Sequence, residues 1–271
     1  MPERYNLYEW TGVNTDLVLP HWRLRSVDGL GMPEVAHISE RYAQQDGATY
    51  QGTRLKKRIV TLTFHLVEDS ESDLWDARDE LLRAISDFGH GFDIYVFLPN
   101  GDTRAIGLQF DSGLSMPRDL NQNLIQQECV LQCVAHDPLL YDPYVVWLTY
   151  NQSALGVVQV VPNAGTWATY PTIFIDGPLT DPVIENQTTG EILDLTGFTL
   201  LIADVITITL TPGAKAITCT GIGNILPYLS TASNLATWHL GVGDNDILWT
   251  GSGAMASTSL AFSYYRRYIG I

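Results

Sequence analysis

Residues 162–177 read PNAGTWATYPTIFIDG. Asn163-Ala164-Gly165 is a turn signal, because asparagine and glycine tolerate positive φ. Thr172, Ile173, Phe174 and Ile175 form a β-branched and aromatic run suited to a strand. Gly177-Pro178 punctuates its end. The stretch is therefore a loop feeding a strand, and it lies past the middle of a 271-residue chain. One helix pattern precedes it and none follows. It marks the first full strand of a second domain, and the chain reads as mainly β.

The pattern continues on both sides of this strand. Val145–Tyr150 and Gly156–Val161 precede it as strands across Asn151-Gln152-Ser153. Pro182–Asn186, Glu191–Leu195, Phe198–Ala203, Val205–Leu210 and Ala216–Thr218 follow it. Turn signals fall roughly every eight to twelve residues, the spacing of a β-sandwich. Gly241–Asn245 reads as a turn, Ile247–Trp249 as a short strand and Ser259–Ile269 as the last strand.

The first half is mixed. Leu17–Leu19 could form a short strand, and Arg23–Val27 alternates. In Arg58–Leu66, Val60, Leu62, Phe64 and Leu66 take one face while Thr61, Thr63 and His65 take the other, which is the period of a half-buried strand. A helix follows over 72–88. Ser70-Glu71-Ser72-Asp73 supplies caps and early acid. Leu74, Ala77, Leu81, Ile85 and Phe88 recur at helical spacing, Leu82 widens the stripe, and Gly89 is a natural stop. The apolar face of the Val60–Leu66 strand is its expected partner. Ile94–Leu98 and Arg104–Phe110 form a hairpin across Pro99-Asn100-Gly101. Leu124–Ala135 is a further strand, ended by His136-Asp137-Pro138. A connector over Leu139–Tyr144 places the domains at 1–144 and 145–271.

Between Gly31 and Gly52 the sequence GMPEVAHISERYAQQDGATYQG shows little periodicity, with a hairpin-type turn at Asp46-Gly47. Such a polar arm is longer than a compact domain requires, and it is placed to reach another chain. Glu34, Gln45, Asp46, Gly47 and Arg58 are the residues expected at an interface between subunits.

Composition excludes several functions. The formal charge is −15, from 30 acidic and 15 basic residues. A nucleic-acid binder or an anionic-membrane binder needs the opposite balance. No apolar run approaches the roughly 20 residues of a membrane span, and MPERYNLYEW lacks the apolar core of a secretory signal. Cys129 and Cys133, four apart in a strand, would hold their Cα atoms about 13 Å apart, beyond the roughly 7 Å a disulfide spans. With Cys219 they read as small buried or half-buried thiols, which fits assembly in a reducing cytosol.

No constellation points to catalysis. Six histidines stand apart from one another and from acids at ligand spacing. Nucleophile-elbow, phosphate-loop and dinucleotide motifs are absent, and Asp244-Asn245-Asp246 lacks the rest of a calcium loop. No enzyme activity, metal or cofactor is expected. Trp147, Trp167, Trp238 and Trp249 all fall in the second half. Aromatics on a sandwich face can stack on sugar rings, though core and interface roles are the plainer reading.

Four segments carry a family resemblance. They are residues 31–66 with Gln45-Asp46-Gly47 and Arg58, the helix after Ser72, and Ala135-His136-Asp137-Pro138-Leu139-Leu140-Tyr141. The fourth is Asn163-Ala164-Gly165-Thr166 through Tyr170-Pro171 to Gly177-Pro178, with Asn186 and Thr189-Gly190 after it. Tyr264-Tyr265-Arg266-Arg267-Tyr268 also fits. In this order the chain resembles the distal tail proteins of long-tailed bacteriophages. The resemblance implies an N-terminal β-sandwich with one helix and an extended arm, related to tail-tube folds, and a C-terminal sandwich of galectin-like shape. It implies a homohexameric ring, a structural hub at the distal end of the virion tail, assembled in the host bacterial cytoplasm and open to passing DNA. The implied partners are the tail tube protein, a tail-tip hub or tail-associated protein, and receptor-binding or side-fibre proteins. Neither sequence-specific nucleic-acid binding nor membrane insertion is implied. The alternative is a carbohydrate-binding β-sandwich protein for host adhesion.

Overall fold

The computed structural model describes residues 22–85, 91–117 and 125–271. The expected strand at Leu17–Leu19, the helix end at Phe88 and Gly89, and Leu124 lie outside the described residues, as does the side chain of Ile85. The protein is mainly β with a single α-helix among those residues. The chain divides into two compact units. One runs to Tyr141 and takes in Ile269–Ile271; the other is Asp142–Tyr268.

The first unit contains β1 (Trp22–Asp28), β2 (Val35–Glu40), β3 (Thr49–Leu55), β4 (Arg58–Val67), α1 (Glu71–Ile85), β5 (Phe92–Phe97), β6 (Thr103–Phe110), β7 (Gln126–Ala135) and β8 (Leu140–Tyr141). The antiparallel order is β1-β4-β7-β6, with β5 and β8 also on β6. Strand β6 serves two layers. Residues 103–108 pair with β5, whereas Gln109 and Phe110 pair with β7, and a strand that changes partners in this way turns the corner between sheets.

Strand β4 has the alternation its sequence dictates. Val60, Leu62, Phe64 and Leu66 are at most 1% exposed, and Thr61, Thr63 and His65 are half-buried on the other face. Opposite them on β7, Cys133 faces Val60, Leu131 faces Leu62, and Cys129 faces Phe64. Both thiols are free and buried. Burial pushes each up to about 12, so they stay neutral and inert.

The start of α1 is capped by Ser70. Its Oγ accepts the Asp73 N–H at 3.2 Å and donates to the Asp73 carboxylate at 2.6 Å, a reciprocal arrangement that satisfies an orphan helix donor. Leu74, Ala77 and Leu81 are buried. Leu82 does not widen that stripe: it is 47% exposed, because one residue further on is about 100° further round the helix. Trp75 is also exposed, with the Arg78 guanidinium 4.3 Å above its ring.

The second unit contains β9 (Val146–Asn151), β10 (Gln159–Asn163), β11 (Thr172–Asp176), β12 (Leu179–Asn186), β13 (Glu191–Asp194), β14 (Thr199–Leu200), β15 (Val205–Thr209), β16 (Ala216–Cys219), β17 (Gly223–Asn224), β18 (Gly243–Ser252), β19 (Ser259–Tyr264) and β20 (Arg267–Tyr268). One sheet runs β10-β18-β12-β13 with β14 on β12; the other runs β17-β16-β15-β11-β19-β9. Inward residues of both, among them Ile173, Ile175, Ile184, Ile206, Trp249 and Phe262, form one core. This is a β-sandwich. Strand β11, within the opening quotation, lies inside the six-stranded sheet between β15 and β19.

Three expectations in this unit need correction. Phe198–Ala203 is not a full strand. Only Thr199 and Leu200 pair, after which Leu201 and Ile202 are exposed and Asp204 N–H closes a turn onto the Leu201 carbonyl at 3.2 Å. Gly241–Asn245 is not simply a turn, since Gly243–Ser252 is one ten-residue strand. Asn245 enters it fully buried because its amide bonds the main chain of Gly241 and Gly243 at 2.8–3.1 Å. Ser259–Ile269 is broken into β19 and β20.

The Asn163-Gly165 turn is present, but neither residue has positive φ. The buried Asn163 side chain accepts the Gly165 N–H at 3.1 Å and donates to the Trp167 carbonyl at 2.9 Å. Gly165 is needed because a Cβ there would lie 2.4 Å from the Arg267 carbonyl oxygen.

Candidate functional site

The stretch read as a polar arm folds back on itself. Strands β2 and β3 pair from Val35↔Leu55 to Glu40↔Thr49, with a bulge near Ile38. They form a sheet of their own. The connection between them turns at Gln44 and Gly47, both with positive φ, so Gly47 meets a backbone requirement as well as lying at the tip. Gln45 Nε2 donates to Thr49 Oγ1 at 2.9 Å, and Arg41 Nε donates to the Gly47 carbonyl at 3.3 Å. Gln51 and Tyr42 both donate to the Glu40 carboxylate. At the root, Lys56 N–H meets the Glu34 carbonyl at 2.8 Å, and their side chains pair at 3.2 Å. That ion pair is well exposed and contributes little.

The surface of this hairpin is unusual for a free element. Ile38, Tyr42 and Tyr50 are exposed, as is Met32 just before it. Five of the chain's 15 Lys and Arg residues fall within 41–58: Arg41, Arg54, Lys56, Lys57 and Arg58. The first four are exposed. These cations stand among exposed Glu34, Glu40 and Asp46, and Lys56 and Lys57 are paired with Glu34 and Asp111. The enrichment in Lys and Arg is legible from charge patterning, yet the sequence reading above singled out only Arg58.

Of the residues expected at an interface, Glu34, Asp46 and Gly47 are exposed, Gln45 is half-buried at the tip, and Arg58 is inside the first unit. Arg58 is 2% exposed. Its Nε donates to the Pro138 carbonyl at 2.7 Å, Nη1 to those of Gly29 (2.8 Å) and Gly31, and Nη2 to that of Ile269 at 2.8 Å. Burial lowers its pKa from the usual guanidinium value. The structure thus gathers Glu34, Gln45, Asp46 and Gly47 on one hairpin. Arg58 sits beyond its root as an anchor that ties the segment before β2, the loop after β7 and the last residues of the chain. No group of three His, Cys, Asp or Glu side chains among the described residues is arranged to hold a metal ion.

Comparison with known proteins bears on this unit directly. Residues 22–89 match the family model of the phage tail protein RIFT-related domain, a span that includes the hairpin, Arg58 and α1. No curated protein sequence matches the chain significantly. Among solved structures, the Dit protein of phage SPP1, described as a paradigm of the hub adsorption apparatus in phages infecting Gram-positive hosts, is 15% identical. It aligns over 92% of this chain and 94% of its own, with a TM-score of 0.66. A chain of the phage P2 baseplate in its activated conformation with calcium aligns over 95% and 94%, at 7% identity and a TM-score of 0.45. The distal tail protein resemblance read from the sequence holds for domain and fold: residues 22–89 form a phage tail protein RIFT-related domain, and the chain that carries it has the fold of a phage Dit protein.

Proposed function

We propose that this chain is a structural hub of a phage tail tip, a homohexameric ring at the distal end of the virion tail. It joins the tail tube to tail-tip and host-adhesion proteins and lets DNA pass. The phage tail domain at 22–89 with its exposed hairpin is the observation that carries this reading. A lone two-stranded hairpin is marginal in water, and this one displays apolar side chains and four exposed cations. It suits an element completed by another surface. A second copy offers that surface. Helix α1 presents exposed Glu71, Asp73, Asp76, Asp79 and Glu80. Arg41 and Arg54 on the arm, with Lys56 and Lys57 at its root, could meet the acidic helix of the next copy and give the head-to-tail complementarity of a ring that closes by rotation. Glu34, Gln45, Asp46 and Gly47 belong to this interface, and Arg58 fixes the root. Six copies would carry a formal charge on the order of −90, so a duct lined by carboxylates would repel DNA rather than hold it. The galectin-like identity of the second unit, assembly in the host cytoplasm and the absence of catalysis belong to the same proposal.

Light scattering on the purified chain, followed by negative-stain imaging, tests the ring. A hexamer with a central opening is expected. Deleting Glu34–Thr49, or replacing Arg54 and Lys56 with glutamate, should shift it to smaller species. A strict monomer at high protein concentration overturns the ring, and an intact hexamer after the deletion overturns the role of the arm.

A further inference from the structure

We infer that the second unit binds a neutral carbohydrate on the outer face of its six-stranded sheet, at the Trp147–Phe174 pair and the pocket beside it. Trp147 on β9 and Phe174 on β11 flank β19, whose Ser263 and Ala261 lie between them in register. Those small side chains let the two rings meet above the middle strand, with centroids 5.2 Å apart and planes 31° apart. Trp147 is 55% exposed, and its Nε1 donates to Thr149 Oγ1 at 3.2 Å, which orients the indole. The result is an aromatic platform of the kind that takes the C–H face of a pyranose.

Thr149 is shared with a pocket of about 320 Å³, lined also by Asn151, Ser153, Gln159, Tyr150 and Ala154. That volume is at the lower end of small-ligand sites, roughly 300–1,000 Å³. Its functional groups are hydroxyls and carboxamides, each able both to donate and to accept. None of the residues lining the pocket is charged. The nearest carboxylate in register, that of Asp176, lies across Ser259 from Asn151 and accepts from the Ser259 hydroxyl. Ser153 Oγ already donates to Asn151 Oδ1 at 2.7 Å, and Gln159 Nε2 to the Val157 carbonyl at 3.3 Å. The Asn151 carboxamide N–H groups and the remaining lone pairs still face solvent, and an apolar peptide would desolvate them without replacing those bonds, which is costly. An acidic glycan would find no cation here, on a chain of net charge −15. A neutral sugar matches both halves of the site, with a ring face for the platform and hydroxyls for the pocket. Asn151 and Ser153, at the start of the 3-10 turn Gln152–Ala154, supply two of the partners.

The site lies wholly in the second unit and does not depend on the ring, so the two proposals fail separately. The test is calorimetric titration of the full chain with maltohexaose, cellohexaose, chitohexaose and a mannan oligosaccharide, with polygalacturonate as the charged comparison. At least one neutral glycan is expected to bind and polygalacturonate to fail. Trp147→Ala should weaken binding about tenfold or more. Trp147→Phe should restore part of it, and Asn151→Ala with Gln159→Ala should weaken it through the pocket while leaving the platform. No binding of any neutral glycan at millimolar concentration overturns the inference. So does equal binding of polygalacturonate, or unchanged affinity in both the Trp147→Ala and the pocket variants.

Discussion

At position 58 four main-chain carbonyls converge on one guanidinium, from residues 29, 31, 138 and 269. A planar fork with five donors can serve such a set, whereas a lysine ammonium with three donors at a point cannot. Arg58→Ala is therefore expected to cost about 3–5 kcal/mol, since it strands buried acceptors, and Arg58→Lys should recover only part of that in urea melts. A small loss in both variants would remove the anchor role. The same scale explains what the sequence could not disclose. Arg58 was visible as a charge at the start of a strong strand, but its partners come from distant parts of the chain, and an interface charge and a buried anchor look alike in one dimension. Asn163 and Gly165 were legible as a turn for the wrong reason, since side-chain substitution for main chain and a close backbone approach, not positive φ, select them. The thiols of Cys129 and Cys133 give a pH signature. Their folded values are raised from 9.0 to about 12 by burial, so the neutral forms stabilise the fold fully below pH 9. This contribution is lost as pH climbs toward 12, by about 1.4 kcal/mol per pH unit for each thiol. Urea melts from pH 8 to 10.5 under reducing conditions should show the fall, and Cys129→Ala with Cys133→Ala should flatten it. An equal slope in the variant would show that other groups carry the alkaline loss.

Among the elements, those with a clear period were legible. Strand β4 follows its alternation over every residue from Val60 to Leu66, and α1 begins at the cap that its sequence advertises. Elements without a period were misread. Phe198–Ala203 is apolar but for Thr199, and composition alone cannot separate a strand from an exposed turn of Leu201 and Ile202. Strand β18 was legible only over Ile247–Trp249, and its start at Gly243 was hidden because Asn245 reads as a turn residue until its burial is seen. Edge protection was equally invisible. On β10, the outward carbonyls of Val160 and Pro162 accept the hydroxyls of Tyr150 and Tyr264, and Pro162 has no N–H to offer, so this edge is closed to strand addition. Helix α1 provides the cleanest test at this scale, because adjacent leucines differ in burial. Leu81 is 1% exposed and Leu82 47%. Leu81→Ala should cost about 2–5 kcal/mol, while Leu82→Ala should stay within about 0.5 kcal/mol in denaturant melts. If the two costs were equal, the buried face of the helix would be misplaced.

For the whole molecule, the mainly β architecture was readable from turn spacing, and the hub reading came from motifs in a fixed order rather than from any one residue. What spacing could not reveal is that Ile269–Ile271 group with the first unit and not with the strands they follow. Within that unit the Ile269 carbonyl accepts from Arg58 at 2.8 Å, the Gly270 carbonyl accepts from Arg104, and Ile271 N–H meets the Leu30 carbonyl at 3.3 Å. We propose that the units are separable domains, with a protease-sensitive connector near Tyr141–Tyr150, and that the first needs these last residues to complete it. Deleting 269–271 takes a buried carbonyl from Arg58 and a second acceptor from Arg104. Hydrogen bonds to charged groups contribute about 1.5–3 kcal/mol each, so the loss should be concentrated in the first unit. Hydrogen exchange on the full chain can read the two units at once. Amides of β4 and β7 should lose protection in the deletion variant, while those of β11 and β19 exchange as before. Uniform loss in both units would mean that they unfold as one, and no loss in β4 would mean that water replaces the missing carbonyls at no cost.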